Sequence, residues 1–320
     1  MKAAVLDGIG SKFEVREVEL DKPKSGELLV KVAASGLCAS DLNAVDGKRK
    51  LVPFPAVIGH EAAGVIVEVG ADVKGFSVGD HVIMSIVPSC GTCEYCASGR
   101  PNYCATAGNA MSVGGLFDGT SRLSQNGEKL NHFLTVASFA EYVVVPASGA
   151  VVIPDEMPLD RAALISCAVL TGYGAVMNTA KVKPGSTVAI FGCGGVGLNI
   201  VQGARMAGAT TIIAVDVTQE KLDLAKKVGA THVINGATSD PVAMVKEICG
   251  GVDYAFEALG RESTIQQAWG TVGVDGTLIL VGLMKNGATI TLDAGPFVNE
   301  QSIKGCYFGS ANLRKDVPAL

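Results

Sequence analysis

Four cysteines in one stretch, CGTCEYCASGRPNYC, constrain the fold of this chain more than any other feature of its sequence. Two, two and seven residues separate them, and they are Cys90, Cys93, Cys96 and Cys104. Four thiolates can surround one Zn²⁺ at about 2.3 Å only if the chain turns tightly, and Gly91, Gly99 and Pro101 provide such turns. The spacing therefore predicts a closed structural zinc site, and it favours metal over a disulfide or redox role.

Length, charge and cysteine usage narrow the class of protein. A chain of 320 residues is long enough for two domains, and a net charge of −5 without a basic patch excludes nucleic acid as a partner. The N-terminus lacks the apolar core of a signal peptide, and no unbroken apolar stretch reaches the roughly 18 residues of a membrane span. Nine cysteines are too few for a disulfide scaffold. We therefore expect a cytoplasmic protein with reduced thiols and no membrane partner.

The apolar pattern changes near Ala168, which divides the chain into two predicted domains. Residues 1–168 contain short β-like runs separated by Gly and Pro, a pattern typical of a mostly antiparallel barrel. Residues 169–307 alternate strand-like and helix-like segments, and β-branched runs such as TIIAVDV require a parallel sheet covered on both faces. The predicted fold class is α/β, with a doubly wound sheet in the second domain.

A glycine-rich turn in the second half predicts a dinucleotide site. The segment Gly192-Cys193-Gly194-Gly195-Val196-Gly197 follows the strand STVAIF and begins an apolar helix. Gly192 permits the tight turn, Gly194 lets a pyrophosphate approach the backbone, and Gly197 lets the helix lie close to the strand.

A carboxylate at the end of the next strand indicates which cofactor is bound. Asp216 follows Gly197 by 19 residues and could accept hydrogen bonds from the adenosine ribose while repelling a 2′-phosphate, which favours NAD over NADP. Alternatively, Asp216 only ends its strand or caps the next helix. Lys221 lies either over the adenosine or on a solvated helix face.

Three separate segments carry the residue types of an open metal site. Cys38 lies in GLCASD, His60 and Glu61 lie in GHEAAG, and Cys167 lies in ISCAVLTGYGA. Two thiolates and one imidazole would leave a fourth zinc position for substrate, where an alcohol could become an alkoxide and expel a hydride to a nicotinamide. Cys167 could instead be a core residue and His60 a structural histidine, because spacing alone does not bring the three together.

Taken together, the motifs resemble the zinc-dependent medium-chain alcohol dehydrogenases over nearly the whole chain. The matching segments are GLCASD, GHEAAGVIVEVG, GDHV, CGTCEYCASGRPNYC, SCAVLTGYGA, FGCGGVG and the strand that ends at Asp216. The resemblance implies a GroES-like catalytic domain and a Rossmann NAD-binding domain. It also implies a catalytic zinc on Cys38, His60 and Cys167 and a structural zinc on the four-cysteine lobe.

The resemblance further implies roles for individual residues. Ser40 would take the alcohol proton, Asp41 would orient the histidine ligand, and Glu61 would act as an alternate or outer ligand. Thr171 and Val196 would line the nicotinamide. The substrate pocket would be bounded by Ser40, Leu51, Ile86, Asn109, Phe133 and Leu283. Because relatives often have an aromatic residue at the position of Ile86, we expect alcohols bulkier than ethanol to fit.

The family resemblance also sets expectations for the branch, the C-terminus and the assembly. The insert from Ala105 to Phe133 resembles the branch of the liver-type and glutathione-dependent formaldehyde enzymes. The family continues beyond the position of Leu320, so residues 308–320 are interpreted as the start of a truncated return to the catalytic domain. The implied activity interconverts primary or aryl alcohols and aldehydes with NAD in a homodimer. The alternative is a zinc-stabilised NAD-binding protein without catalytic competence.

Overall fold

The computed structural model describes all 320 residues, and its internal contacts divide the chain into two units. The first unit comprises residues 1–167 together with 312–320, and the second comprises residues 168–311.

The first unit is built from short, mostly antiparallel strands in two sheets. One sheet has six strands in the order β2-β1-β5-β9-β8-β3, and the other has five in the order β10-β4-β6-β7-β11. The strands are β1 (Lys2–Leu6), β2 (Glu14–Glu17), β3 (Glu19–Leu20), β4 (Glu27–Gly36), β5 (Ala56–Val57), β6 (Glu61–Val69), β7 (His81–Met84), β8 (Leu123–Gln125), β9 (Glu128–His132), β10 (Tyr142–Pro146) and β11 (Ala150–Val152). Only β5 and β9 pair in parallel. The predicted antiparallel barrel-like architecture is confirmed.

Five of these strands escape sequence reasoning because they carry little apolar signal. β3 and β5 are two residues long, and β2, β8 and β9 have largely polar sequences, EVRE, LSQ and EKLNH. Strands this short form because their neighbours already offer a sheet edge, so local propensity does not decide them. The unit's helices are α1 (Ala39–Val45), α2 (Glu94–Ala97), α3 (Ala105–Ser112), α4 (Leu159–Leu164) and α10 (Leu313–Ala319).

The second unit is a doubly wound parallel sheet, as the sequence pattern predicts. Its order is β14-β13-β12-β15-β16-β17, with every pair parallel. The strands are β12 (Thr187–Phe191), β13 (Thr211–Asp216), β14 (His232–Asn235), β15 (Val252–Glu257), β16 (Val272–Leu280) and β17 (Ser302–Gly305). The helices are α5 (Leu170–Gly174), α6 (Gly195–Met206), α7 (Gln219–Val228), α8 (Pro241–Cys249) and α9 (Glu262–Thr271).

The order of this sheet positions a ligand crevice. From β12 the chain extends the sheet to one side through β13 and β14, and it then crosses back through α8 to β15 on the other side of β12. In such sheets the ligand binds beyond the carboxyl ends of the strands at this switch point. β14 and β17 are the two edge strands of this sheet, and β17 has only β16 as a neighbour. The homodimer implied by the family resemblance stays a prediction.

One helical segment is long and apolar enough to cross a membrane when only its length and composition are considered. It runs over Leu159–Ala180, and its most apolar stretch has a mean hydropathy of 1.4 and is 61% buried inside the protein. The same segment contains π-helical turns at Ile165–Val169 and Ala175–Ala180. A largely buried core helix has the same length and composition, so the segment is weak evidence for a membrane span.

A fully buried histidine at the end of β9 predicts a pH dependence of stability. Burial, with smaller contributions from Arg122 and Lys129, lowers the pKa of His132 to about 3. Because the unfolded chain binds this proton near pH 6.5, stability present above that pH is lost as pH falls towards 3, by about 1.4 kcal/mol per pH unit. We expect urea unfolding of His132→Gln to show a shallower fall in stability between pH 6.5 and 4 than the wild type.

The exposed His232 provides the matched control for this measurement. His232→Gln should keep the wild-type slope. If His132→Gln and the wild type lost stability in parallel over this range, the assignment of the slope to His132 would be wrong.

Candidate metal and nucleotide sites

The three segments that carry the predicted open metal site meet in the first unit. The ligand atoms of Cys38, His60, Glu61 and Cys167 all lie within 4.8 Å of one another. His60 is fully buried, Glu61 and Cys167 are buried, and Cys38 is half-buried. Two thiol groups, an imidazole and a carboxylate this close together can all coordinate a single metal ion.

A buried carboxylate links two of these residues. Helix α1 begins directly after Cys38, and Asp41 lies in its first turn. The Asp41 Oδ2 accepts the Cys38 backbone N–H at 2.8 Å. Its Oδ1 lies 2.9 Å from His60 Nδ1. An imidazole whose Nδ1 is bound in this way presents Nε2 to a metal, which is the usual arrangement at zinc sites. The structure therefore places Asp41 where the predicted orienting role requires it.

The other two members are placed by strand pairing and by a helix contact. Glu61 begins β6 and lies opposite Gly36 at the end of β4. A Cβ added to Gly36 would lie 2.5 Å from Glu61 Oε2, so the glycine leaves the space that the carboxylate occupies. The hydroxyl of Ser166 accepts the Ala62 backbone N–H at 3.0 Å. This bond joins the residue after Glu61 to the residue before Cys167.

The electrostatics of the cluster favour a bound cation. A hydrogen bond from Cys167 is the main reason why the pKa of Cys38 falls to about 3, so Cys38 is the thiolate of the pair. Burial raises the pKa of Glu61 to about 7. Burial alone would lower the pKa of His60, but Asp41 and the Cys38 thiolate outweigh it and raise the value to about 10. A divalent metal would displace these protons, because thiolate and neutral imidazole are its ligands.

One buried atom in the cluster lacks a partner. His60 Nε2 is inaccessible to solvent and has no hydrogen-bond partner, although its ring is fixed by Asp41. An unsatisfied buried nitrogen costs free energy unless something binds it, and the neighbouring thiol groups identify zinc as the fitting partner. The donor set therefore fits a zinc ion held by Cys38, His60 and Cys167, with Glu61 beside it.

The predicted proton acceptor and pocket residues lie in several places. Ser40 Oγ is 3.8 Å from Cys38 Sγ, and the Phe133 ring lies edge-on to the His60 ring with 5.6 Å between centroids. Ile86 is buried and Leu51 half-buried, whereas Asn109 is exposed on α3. Leu283 is exposed and belongs to the second unit. The structure thus brings Ser40 and Phe133 to the metal cluster.

The four-cysteine lobe forms a second cluster, as its spacing predicts. The Sγ atoms of Cys90, Cys93, Cys96 and Cys104 lie within 4.8 Å of one another. Backbone N–H groups donate to two of the sulfurs: that of Cys93 to Cys90 Sγ, and that of Cys90 to Cys104 Sγ, both at 3.3 Å. Bonds of this kind favour thiolate over thiol, so the lobe suits a closed zinc site.

The glycine turn of the second unit has the shape of a phosphate cradle. Gly192 has a φ of +97°, which favours glycine, and α6 begins at Gly195. A Cβ at Gly194 would meet nothing within 4 Å, so open space lies beside the backbone there. At Gly197 a Cβ would overlap the Gly192 carbonyl oxygen, which explains the close packing of helix on strand. The N-terminus of α6 therefore faces room for an anion.

Asp216 ends its strand, bonds to the backbone around it and also lines a cavity. It ends β13, its Oδ2 accepts the Cys193 N–H at 2.8 Å, and its Oδ1 accepts the N–H groups of Val217 and Thr218 at 2.8 and 3.0 Å. Lys221 Nζ lies 4.0 Å from the same Oδ1. A carboxylate has about four acceptor positions, so three backbone bonds leave roughly one for a ligand. The side chain both closes the strand end and faces the nucleotide cavity.

A cavity of about 320 Å³ opens beside this carboxylate. Its lining includes Gly192, Asp216 and Lys221, and four residues that sequence reasoning missed: Leu259, Arg261, Thr264 and Gln267. The missed loop is held by the buried Glu257, which accepts the Gly260 N–H at 2.9 Å and the Thr264 hydroxyl at 2.6 Å. The sequence feature that could have indicated this loop is Glu257, a carboxylate at the end of β15, the strand that lies beside β12 in the sheet.

The two residues predicted to line a nicotinamide lie on neighbouring helices. Thr171 is on α5 and Val196 is in the first turn of α6, and both are half-buried. A Cβ at Gly172 would lie 2.6 Å from the Val196 carbonyl oxygen, so this glycine lets the helices approach. The cradle, the cavity and this pair together suit a dinucleotide.

Two parts of the chain match known protein families. Residues 24–155 match the family described as "Alcohol dehydrogenase GroES-like domain", and residues 195–320 match "Zinc-binding dehydrogenase". The NDMA-dependent alcohol dehydrogenase of Amycolatopsis methanolica is 40% identical over 100% of this chain and 87% of its own length.

Solved structures show the same similarity. An alcohol dehydrogenase zinc-binding domain protein from Burkholderia ambifaria has a TM-score of 0.95 at 39% identity, covering 100% of this chain and 87% of its own. Benzyl alcohol dehydrogenase from Acinetobacter calcoaceticus has a TM-score of 0.93 at 37% identity, covering 99% and 87%.

Two further structures carry a nicotinamide cofactor. A zinc-binding dehydrogenase from Sinorhizobium meliloti is bound to NADP and covers 96% of this chain and 84% of its own, at 30% identity and a TM-score of 0.79. Acetophenone reductase from Geotrichum candidum is bound to NAD and covers 96% and 82%, at 28% identity and a TM-score of 0.79. On these similarities, and with a GroES-like and a Rossmann-type unit, the chain belongs to the zinc-dependent medium-chain alcohol dehydrogenase family.

Proposed function

We propose that the protein interconverts primary or aryl alcohols and aldehydes by transferring a hydride between the alcohol carbon and NAD. The observation that carries the proposal is the cluster of Cys38, His60 and Cys167, with a buried His60 Nε2 that lacks a partner. A closed structural site would use all its ligand positions, whereas three protein ligands leave one position for a substrate oxygen.

The cofactors would supply the chemistry that no side chain here can provide. When bound, zinc would lower the pKa of the alcohol hydroxyl, and the nicotinamide would accept the hydride. Ser40 would receive the hydroxyl proton, and its Oγ lies 3.8 Å from Cys38 Sγ. Asp41 would hold the His60 ring in the orientation that presents Nε2. Phe133, against that ring, would form an apolar wall for the substrate.

The proposed preference for NAD rests on Asp216. Its carboxylate lines the nucleotide cavity with about one acceptor position free, which suits a ribose hydroxyl. A 2′-phosphate placed there would meet negative charge. The nearby Lys221 only partly offsets that charge, because its Nζ lies 4.0 Å from the carboxylate.

Metal analysis and an activity screen test the proposal. We expect one catalytic and one structural zinc per chain, and turnover of a series from ethanol to benzyl alcohol with NAD, with higher kcat/KM for the bulkier alcohols. A higher kcat/KM for ethanol than for benzyl alcohol would contradict the wide pocket expected from Ile86. A higher kcat/KM with NADP than with NAD would contradict the role of Asp216.

A second acceptor belongs in the same screen, because a relative with 40% identity is named NDMA-dependent. Turnover with NDMA in the absence of added NAD would indicate that NDMA takes up the electrons while the cofactor stays bound. That would argue against a cycle in which NAD exchanges freely with solution. If both zinc ions are present and no alcohol reacts with any acceptor, the alternative of a zinc-stabilised, non-catalytic NAD-binding protein replaces the proposal.

A further inference from the structure

A buried arginine in the first unit has no part in the proposed chemistry. The Arg122 side chain is almost inaccessible to solvent, and its Nε and Nη2 donate to the two carboxylate oxygens of Glu27 at 2.9 and 2.6 Å. Nη2 also donates to Asp118 Oδ2 at 2.9 Å. Burying such a pair is costly, and the pair often adds little net stability. The position of the pair is more informative, because Glu27 and Arg122 both belong to segments that lead to the metal cluster.

Glu27 belongs to the segment that leads to Cys38. It is the first residue of β4, which ends at Gly36, two residues before the cysteine. β4 pairs with β6, and Gly36 lies opposite Glu61 in that ladder. The carboxylate therefore anchors the far end of the strand whose near end carries the metal ligands.

Arg122 is joined to the segment that leads to Phe133. Its backbone N–H donates to His132 Nε2 at 3.2 Å. His132 is the last residue of β9 and pairs in parallel with Val57, three residues before His60. The arginine thus contacts the residue directly before Phe133, and β9 runs beside the chain that reaches His60.

The contact between Phe133 and His60 lies at the end of this series. The Phe133 ring is fully buried and meets the His60 ring at an interplanar angle of 63°. The next residues, Leu134 and Thr135, have φ values of 49° and 61°, a left-handed conformation that non-glycine residues keep only where their surroundings hold them. The Ser138 N–H donates to the Gly59 carbonyl at 3.0 Å and keeps the segment beside His60.

We propose that the Arg122–Glu27 ion pair is a positioning device for the metal site, which holds Phe133 against the ring of the ligand His60. The inference rests on the proposed zinc site at Cys38, His60 and Cys167. Arg122 contacts neither the metal-binding residues nor the substrate. Its side-chain bonds to Glu27 fix its backbone, whose N–H holds His132, and it therefore acts through His132 and Phe133. Without this wall the His60 ring would be held less firmly by its bond to Asp41, and its bond to zinc would weaken.

The test measures zinc release from the purified holoprotein to a colorimetric chelator, well below the unfolding temperature. Arg122→Lys keeps the charge but loses the two-pronged contact with Glu27. We expect release from the proposed catalytic site to become about tenfold faster, while release from the cysteine lobe is unchanged. The release phase that disappears in Cys167→Ser identifies the catalytic site. Replacement of zinc by Co²⁺ should give a shifted visible absorption spectrum in Arg122→Lys.

Arg16→Lys is the matched control. Arg16 also contacts two carboxylates, with Nη1 2.8 Å from Asp7 Oδ1 and Nε 3.1 Å from Glu14 Oε2, but those carboxylates lie at the surface. Its release rates should equal those of the wild type.

Phe133→Leu provides a second variant that leaves the ion pair intact. We expect it to speed release from the same site, with a smaller loss of thermal stability than Arg122→Lys. Wild-type release in both variants, with an unchanged Co²⁺ spectrum, would overturn the inference. If Arg122→Lys does not fold, wild-type release in Phe133→Leu alone overturns it. Wild-type protein that holds zinc only in the lobe would overturn the proposed function and this inference with it.

Discussion

Replacing Cys167 by serine should remove the zinc ion of the open site and abolish most of the alcohol dehydrogenase activity. The Cys167 thiol is buried in the cluster with Cys38, His60 and Glu61, and a serine hydroxyl is a poor zinc ligand. If zinc supplies several kcal/mol of transition-state stabilisation, its loss lowers kcat/KM by about a thousandfold or more. Metal analysis should show one zinc per chain, and steady-state kinetics should show the fall in kcat/KM.

Cys249→Ser is the control for the chemistry of the substitution. Cys249 is half-buried on α8 and lies outside both cysteine clusters, with Sγ 3.4 Å from the Val245 carbonyl oxygen. This variant should keep both zinc ions and wild-type kinetics. Circular dichroism must show that Cys167→Ser is folded. A folded Cys167→Ser protein that retains both zinc ions, with kcat/KM within about tenfold of the wild type, would show that the site is misassigned.

Two glycines of the nucleotide turn should respond differently to the same added methyl group. At Gly194 a Cβ meets nothing in the protein, so Gly194→Ala should change the free energy of unfolding by less than about 1 kcal/mol. The methyl would occupy the space of the pyrophosphate, and we expect NAD affinity to fall by about tenfold to a hundredfold. At Gly197 the methyl overlaps the Gly192 carbonyl oxygen, so Gly197→Ala should lower stability by about 1–3 kcal/mol and also weaken NAD binding.

Gly108→Ala is the neutral comparison for both variants. Gly108 lies on α3 in the first unit, with nothing within 4 Å of an added Cβ, so alanine should leave NAD affinity unchanged and raise stability slightly. Calorimetric titration with NAD and urea unfolding measure the two quantities. Unchanged NAD affinity in Gly194→Ala would contradict the assignment of the cradle.

Features that depend on short stretches of chain were predictable. The four-cysteine lobe could be assigned because its ligands lie within one run of turns, and the structure brings the four sulfurs together. The phosphate cradle was predictable for the same reason, because a strand, a glycine turn and a helix follow one another directly. Apolar periodicity likewise distinguished the antiparallel unit from the parallel one, although it missed two-residue strands such as β5.

The contacts between distant segments were not predictable in this way. No spacing rule places Cys38, His60 and Cys167 in one cluster, and only the family resemblance suggested it. The bond between Arg122 and Glu27, 95 residues apart, gave no signal in the sequence. The family resemblance placed Phe133 at the substrate pocket but did not indicate its contact with His60. The loop with Leu259 and Arg261 enters the nucleotide cavity because the buried Glu257 holds its backbone.

The sequence by itself determined the four-cysteine lobe, the glycine turn and the α/β class, because each depends on ligand spacing, backbone conformation or periodicity within a few residues. Only the tertiary structure decided which distant side chains meet at the open metal site and how Asp216 shares its acceptors. Those contacts depend on strand register and helix packing, whose free energy is summed over many residues and is not encoded at any single position.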